Sequence, residues 1–142
     1  MEMAGDRLRV EEHAGCVVCG IDNATGFQIT YTTEAPGRVS ALWTPATRYE
    51  GFKGLVHGGV LATVLDEAMS KAVAATGCEA LTAELRVRFR RHIASGRAFR
   101  VRGWIVKHGT RIVETEASLT ALDGSEHAHA RAKFLALRKA NA

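Results

Sequence analysis

The segment Leu55–Met69 reads LVHGGVLATVLDEAM, and it concentrates the residue types that could act on a carbonyl. His57-Gly58-Gly59 stands where a helical stretch begins, and Asp66 and Glu67 follow one to two turns in. The first N–H groups of a helix have no internal partner and lie at the positive end of its dipole. Two glycines there leave backbone N–H groups open to close approach. Such an N–H, that of Gly58 above all, can hold the negative charge that develops on a carbonyl oxygen under attack. In other systems one donor of this kind changes rates by about 10²–10³. An acid on an otherwise apolar helix needs a reason, because burying an unpaired charge is costly. It can activate water as a general base or attack the carbonyl itself. From the residues alone Asp66 and Glu67 compete for that role.

Other chemistry-bearing residues are fewer. Cys16 and Cys19 form a C-x-x-C pair with His13 three residues ahead of Cys16, and Cys78 is the third cysteine. An odd count without a secretion signal argues against a disulfide framework. The spacing could serve zinc, but the second pair of a structural zinc site is missing. The sequence is therefore read as two small thiols in a turn before Gly20, with no metal and no cofactor. Formal charge is +4 and the pI about 9.3. The basic residues are strung along strands, without the basic arm or interleaved aromatics of a nucleic-acid binder. A polyanionic small ligand suits this charge equally well.

These residues need a scaffold. The length of 142 residues fits one domain over 1–142, large enough to bury a core. Residues 58–76 make the one long helix, ended by Gly77. Its polar residues Thr63, Asp66, Glu67, Ser70 and Lys71 fall within an arc of about 140°, so the rest of its surface is apolar and buried. Strands are expected at 27–34 and 38–44 before the helix. Four more follow at 80–91, 97–107, 111–122 and 126–138, joined by turns at Ser95-Gly96, His108-Gly109 and Asp123-Gly124. In the first of the four, Leu81, Ala83, Leu85, Val87 and Phe89 face one way, and Thr82, Glu84 and the arginines the other. Residues 1–14 read as a polar lead-in, helical if ordered. An α+β fold, with an antiparallel sheet of about six strands wrapped around one central helix, satisfies these faces. Neither a signal peptide nor a membrane span is found, which points to the cytoplasm.

The segments CVVCGIDNATGFQI, YEGFKGLVHGG and LTAELRVRFRRHI, together with the His-Gly-Gly and acid spacing, resemble the phenylacetate-pathway type of hot-dog thioesterases. The resemblance runs in order over roughly residues 16–137. It implies the hot-dog fold and hydrolysis of an acyl-coenzyme A thioester. It places the acid at Asp66, the oxyanion donor at Gly58 and an assisting hydroxyl at Thr82, and makes His57 a positioning residue. It also implies a tetramer. The chain departs from the family at Glu50 and Gly51, where an Asn or Gln six or seven residues ahead of the histidine is usual. Glu50 is kept as a candidate at that position, although an ionised carboxylate cannot donate a hydrogen bond. That departure leaves a non-catalytic acyl-coenzyme A binding module as the alternative. Gly59, Arg90, Arg91, Arg111, Arg131 and Lys133 are candidates for holding the substrate and its phosphates. Gly58 and Asp66 are eight residues apart, about 12 Å along one helix. If both serve one carbonyl, they must come from two chains related by a two-fold axis.

Overall fold

The computed structural model describes residues 10–11 and 14–138; residues 1–9 of the expected helical lead-in and His13 lie outside the described residues. Two short strands, β1 (Thr32–Ala35) and β2 (Arg38–Trp43), precede a single 3-10 turn at Thr47–Tyr49. The helix α1 (Gly58–Ala74) follows, then β3 (Glu79–Phe89), β4 (Phe99–His108), β5 (Ile112–Ala121) and β6 (Glu126–Arg138). All strand pairs are antiparallel, in the order β1-β2-β4-β5-β6-β3. One sheet thus curls around one helix, which is the hot-dog architecture.

The core lies between the helix and the inner face of the sheet. Leu61, Val64, Leu65, Ala68, Met69 and Val73 pack against Phe99, Val101, Val113, Leu119 and Phe134. Gly103 sets the separation on β4: a Cβ there would lie 2.4 Å from the Ala68 carbonyl oxygen. A bare strand position lets helix backbone and strand backbone meet directly. The polar arc of the helix is half-buried along its whole length. Among the described residues no helix is long and apolar enough to cross a membrane.

Two expectations change. The strand expected at 27–34 is ladder only from Thr32, because Gln28 takes a positive φ of 53° and breaks the extended run. The apolar residues Phe27 and Ile29 still pack against the core, and their N–H groups donate to Val17 O and Val18 O. The second change concerns β3. Its register with β6 slips between Thr82, opposite Phe134, and Glu84, opposite Lys133, so Ala83 is an extra residue. Directly opposed residues share a face. Phe134 is buried, so Thr82 turns inward, whereas strict alternation had grouped it with Glu84 and the arginines. Beyond the bulge Leu85, Val87 and Phe89 return to the inner face opposite Ala132, Ala130 and Ala128.

Candidate active site

The start of α1 is held by local bonds. Val56 N donates to Ile93 O and His57 N to Tyr49 O, so the chain enters the helix from a loop tied on two sides. His57 is the N-cap, with extended φ/ψ of −61° and 135°, and its Nδ1 accepts from Gly59 N at 2.9 Å. The carbonyl of His57 accepts from Val60 N and Leu61 N. Nδ1 is an acceptor here, so the neutral ring carries its proton on Nε2. The histidine therefore positions the helix start. The two glycines differ in what they do. A Cβ on Gly59 would press on the His57 ring at 3.1 Å, so that glycine serves the cap. A Cβ on Gly58 would make only ordinary contact with Phe89 at 3.6 Å. The Gly58 N–H has no acceptor among the described residues, and the residue is exposed. It is an unpaired donor at the positive end of a helix.

Two turns further on, Asp66 is half-buried, and Thr82 Oγ1 donates to its Oδ1 at 2.7 Å. The bulge at Ala83 makes this bond possible. Burial pushes the Asp66 carboxyl above the usual carboxylate range, and the Thr82 hydroxyl partly offsets that by bonding the charged form. Oδ2 has no partner among the described residues. Glu67 belongs to a different neighbourhood: its Oε1 accepts from Cys19 Sγ at 3.5 Å and lies 4.0 Å from Lys71 Nζ. The two adjacent acids are thus separated by their partners, which the sequence could not do. Burial, then the Cys16 contact and the Glu67 charge, push the Cys19 thiol up to about 12, so it is a neutral thiol at ordinary pH.

Glu50 braces the loop ahead of the helix. Its Oε1 accepts from Gly54 N at 3.0 Å and its Oε2 from the Ser95 hydroxyl. The Ser95 bond, then the Gly54 bond, hold its carboxyl below the usual range. Gly51 packs under the histidine, where a Cβ would lie 3.1 Å from His57 Cδ2. The basic candidates do not gather at one place. Arg90 pairs with Glu126 at 3.2 Å and Arg131 with Glu116 at 3.1 Å. Arg91 is exposed and has no ion pair among the described residues; it follows Phe89, whose ring borders Gly58. Arg111 precedes β5 beside the far end of β3, since Ile112 and Leu81 both oppose Leu135. Lys133 opposes Glu84 and Glu114 on the outer face. Within one chain Arg111 therefore stands at the opposite end of the strands from Gly58.

Comparison with known proteins identifies the fold and the family. A search of curated proteins finds no match. A thioesterase superfamily protein of known structure superposes with a TM-score of 0.81 at 27% identity, covering 84% of this chain and 62% of that one. This chain thus spans less than two thirds of that relative's length. The protein smu.793 from Streptococcus mutans, solved bound to acetyl CoA, superposes at 0.75 with 18% identity, covering 80% of this chain and 91% of that one. PaaI of E. coli, from the phenylacetic acid degradation operon, gives 0.72 with 17% identity, covering 77% and 83%. These last two establish a shared fold. Residues 53–128, which run from the loop ahead of the helix through the start of β6, match the family profile of the thioesterase superfamily, and the chain belongs to that family.

Proposed function

We propose that the protein hydrolyses an acyl-coenzyme A thioester to the free acid and coenzyme A. The observation that carries this reading is Asp66, bonded by Thr82 of β3, on a helix whose first N–H, that of Gly58, is open. Asp66 takes the proton of a water as that water attacks the thioester carbon. Thr82 fixes the carboxylate on one oxygen and leaves the other for the water. The carbonyl oxygen gains negative charge and is held by the Gly58 N–H. Collapse of the tetrahedral species breaks the C–S bond and releases the thiol, protonated by way of the base. Coenzyme A is the thiol carrier that two fold neighbours hold, smu.793 with acetyl CoA and a Streptococcus pneumoniae hypothetical thioesterase with coenzyme A. Arg91, which has no ion pair among the described residues and lies two residues beyond the Phe89 ring that borders Gly58, is assigned to a substrate phosphate.

The working unit in this reading is a dimer. Gly58 and Asp66 are about 12 Å apart on one helix, too far to share a carbonyl. A partner helix running antiparallel brings one chain's Gly58 to the other's Asp66 and Thr82. Two features favour that pairing. β3 is an edge strand, and its inner-face residues Leu85 and Phe89 remain 37% and 51% exposed. Pairing of two such dimers would give the tetramer that the family resemblance implies.

A second reading is a binding module that holds acyl-coenzyme A without cleaving it. It is favoured by Glu50 and Gly51, which supply no side-chain amide near the histidine. Thiol release from a panel of acyl-coenzyme A substrates separates the two readings. Turnover is expected, and Asp66→Asn should lower it by at least about 10², the lower range for a positioned base. Tight binding of the panel with no thiol released would establish the second reading.

A further inference from the structure

All three cysteines line one pocket of about 550 Å³ beside the C-terminal half of α1, and none is in a disulfide. Cys16 and Cys19 come from the turn ahead of Gly20 and Cys78 is the residue before β3. The Sγ atoms of Cys16 and Cys19 and a carboxylate oxygen of Glu67 all lie within 4.8 Å of one another. The C-x-x-C turn itself is tightly built. Gly20 N donates to Cys16 O at 2.9 Å, and a Cβ at Gly20 would collide with Cys16 N at 2.4 Å, so only glycine closes the turn. Inside it, Val18 N and Cys19 N both point at Cys16 Sγ, at 3.4 and 3.5 Å. This is the local chemistry of a metal-binding turn, and the fold adds an oxygen ligand that lies 48 residues beyond Cys19.

We propose that Cys16, Cys19 and Glu67 form a binding site for a borderline-soft divalent cation, zinc by chemical class, with its fourth coordination position open to the pocket. Two thiolates and one carboxylate are a zinc donor set, and three protein ligands leave one place for water. The dimensions agree. Tetrahedral bonds of about 2.3 Å to sulfur and 2.0–2.2 Å to oxygen put S and O about 3.5 Å apart. Cys19 Sγ and Glu67 Oε1 are 3.5 Å apart. On binding, each thiol gives its proton to solvent as its S–metal bond forms. The ion would tie the Cys16–Cys19 turn to the central helix one residue away from Asp66.

The test is anaerobic titration of the reduced full-length chain with Co²⁺, followed by displacement with Zn²⁺. One Co²⁺ per chain is expected, with sulfur-to-cobalt charge-transfer absorption and the visible bands of a tetrahedral ion, all removed by one equivalent of Zn²⁺. Cys16→Ser and Cys19→Ser should each lose the spectrum. Glu67→Gln keeps the side chain's size and should weaken binding at least about tenfold. Cys78→Ser removes a thiol of the same pocket outside the donor set and should bind as the wild type does. No thiolate–cobalt absorption from the folded wild-type chain overturns the proposal. So does undiminished binding by Glu67→Gln, or loss of binding in Cys78→Ser. Glu67→Gln decides the matter even if a serine variant fails to fold.

Discussion

Asp66 is held against its own charge. Burial raises its folded pKa, so its ionised form is less stable in the folded chain than in the unfolded one. The stability this group supplies is present below the ordinary carboxylate value and is lost as pH rises through the raised folded value. Asp66→Asn should therefore be more stable than the wild type at neutral pH, with the gap closing on acidification past that window. Thermal melts from pH 3 to pH 8 read this directly, and an Asn variant less stable at pH 7 would contradict it. The same group gives activity an acid limb, since the base must be ionised. Thr82→Val removes the bond that lowers this pKa and should move the limb to higher pH, whereas Thr82→Ser should leave it in place. A purely structural Thr82 would change the rate without moving the limb.

The helix and the strands that hold it were largely legible in the sequence. Unbroken apolar periodicity marked α1, and turn residues at Ser95-Gly96, His108-Gly109 and Asp123-Gly124 divided the last four strands. Both kinds of signal are local. What stayed hidden depends on pairing. The inward turn of Thr82 follows from a bulge that only the register against β6 defines. The separation of Asp66 from Glu67 comes from Thr82 on one side and Cys19 on the other. The break at Gln28 comes from a positive φ at a residue that is neither Gly nor Pro. Gly103 was also silent, though it sets the helix-to-sheet distance. Gly103→Ala should force the helix backbone off β4 and cost about 1–3 kcal/mol, the range for overpacking a core. Chemical denaturation measures this. An unchanged midpoint would mean that the helix shifts without cost.

At the scale of the whole molecule, the shared site predicts rescue between two inactive variants. Asp66→Asn lacks the base. Gly58→Pro lacks the oxyanion N–H, yet proline suits the first helical position, and Gly58 has room for a Cβ. Each variant alone should be inactive. Unfolded together and refolded as a mixture, about half the dimers should be mixed, each with one intact site of two. Activity should return to roughly a quarter of wild type by this counting. No return from a mixture shown to contain mixed dimers would put the whole site within one chain.

The order β1-β2-β4-β5-β6-β3 also bears on how the chain is made. During synthesis β3 leaves the ribosome directly after the helix, but its sheet neighbour is the last strand to appear. Until Glu126–Arg138 emerges, β3 has no ladder partner, and nothing fixes the bulge that turns Thr82 inward. The β6 backbone is thus a template for the Thr82–Asp66 pair of the candidate site. Ribosome-bound chains stopped before residue 126 should hold the helix and β4–β5 while β3 stays open to protease. Release of the last strand should close β3 and form the Thr82–Asp66 bond in the same step.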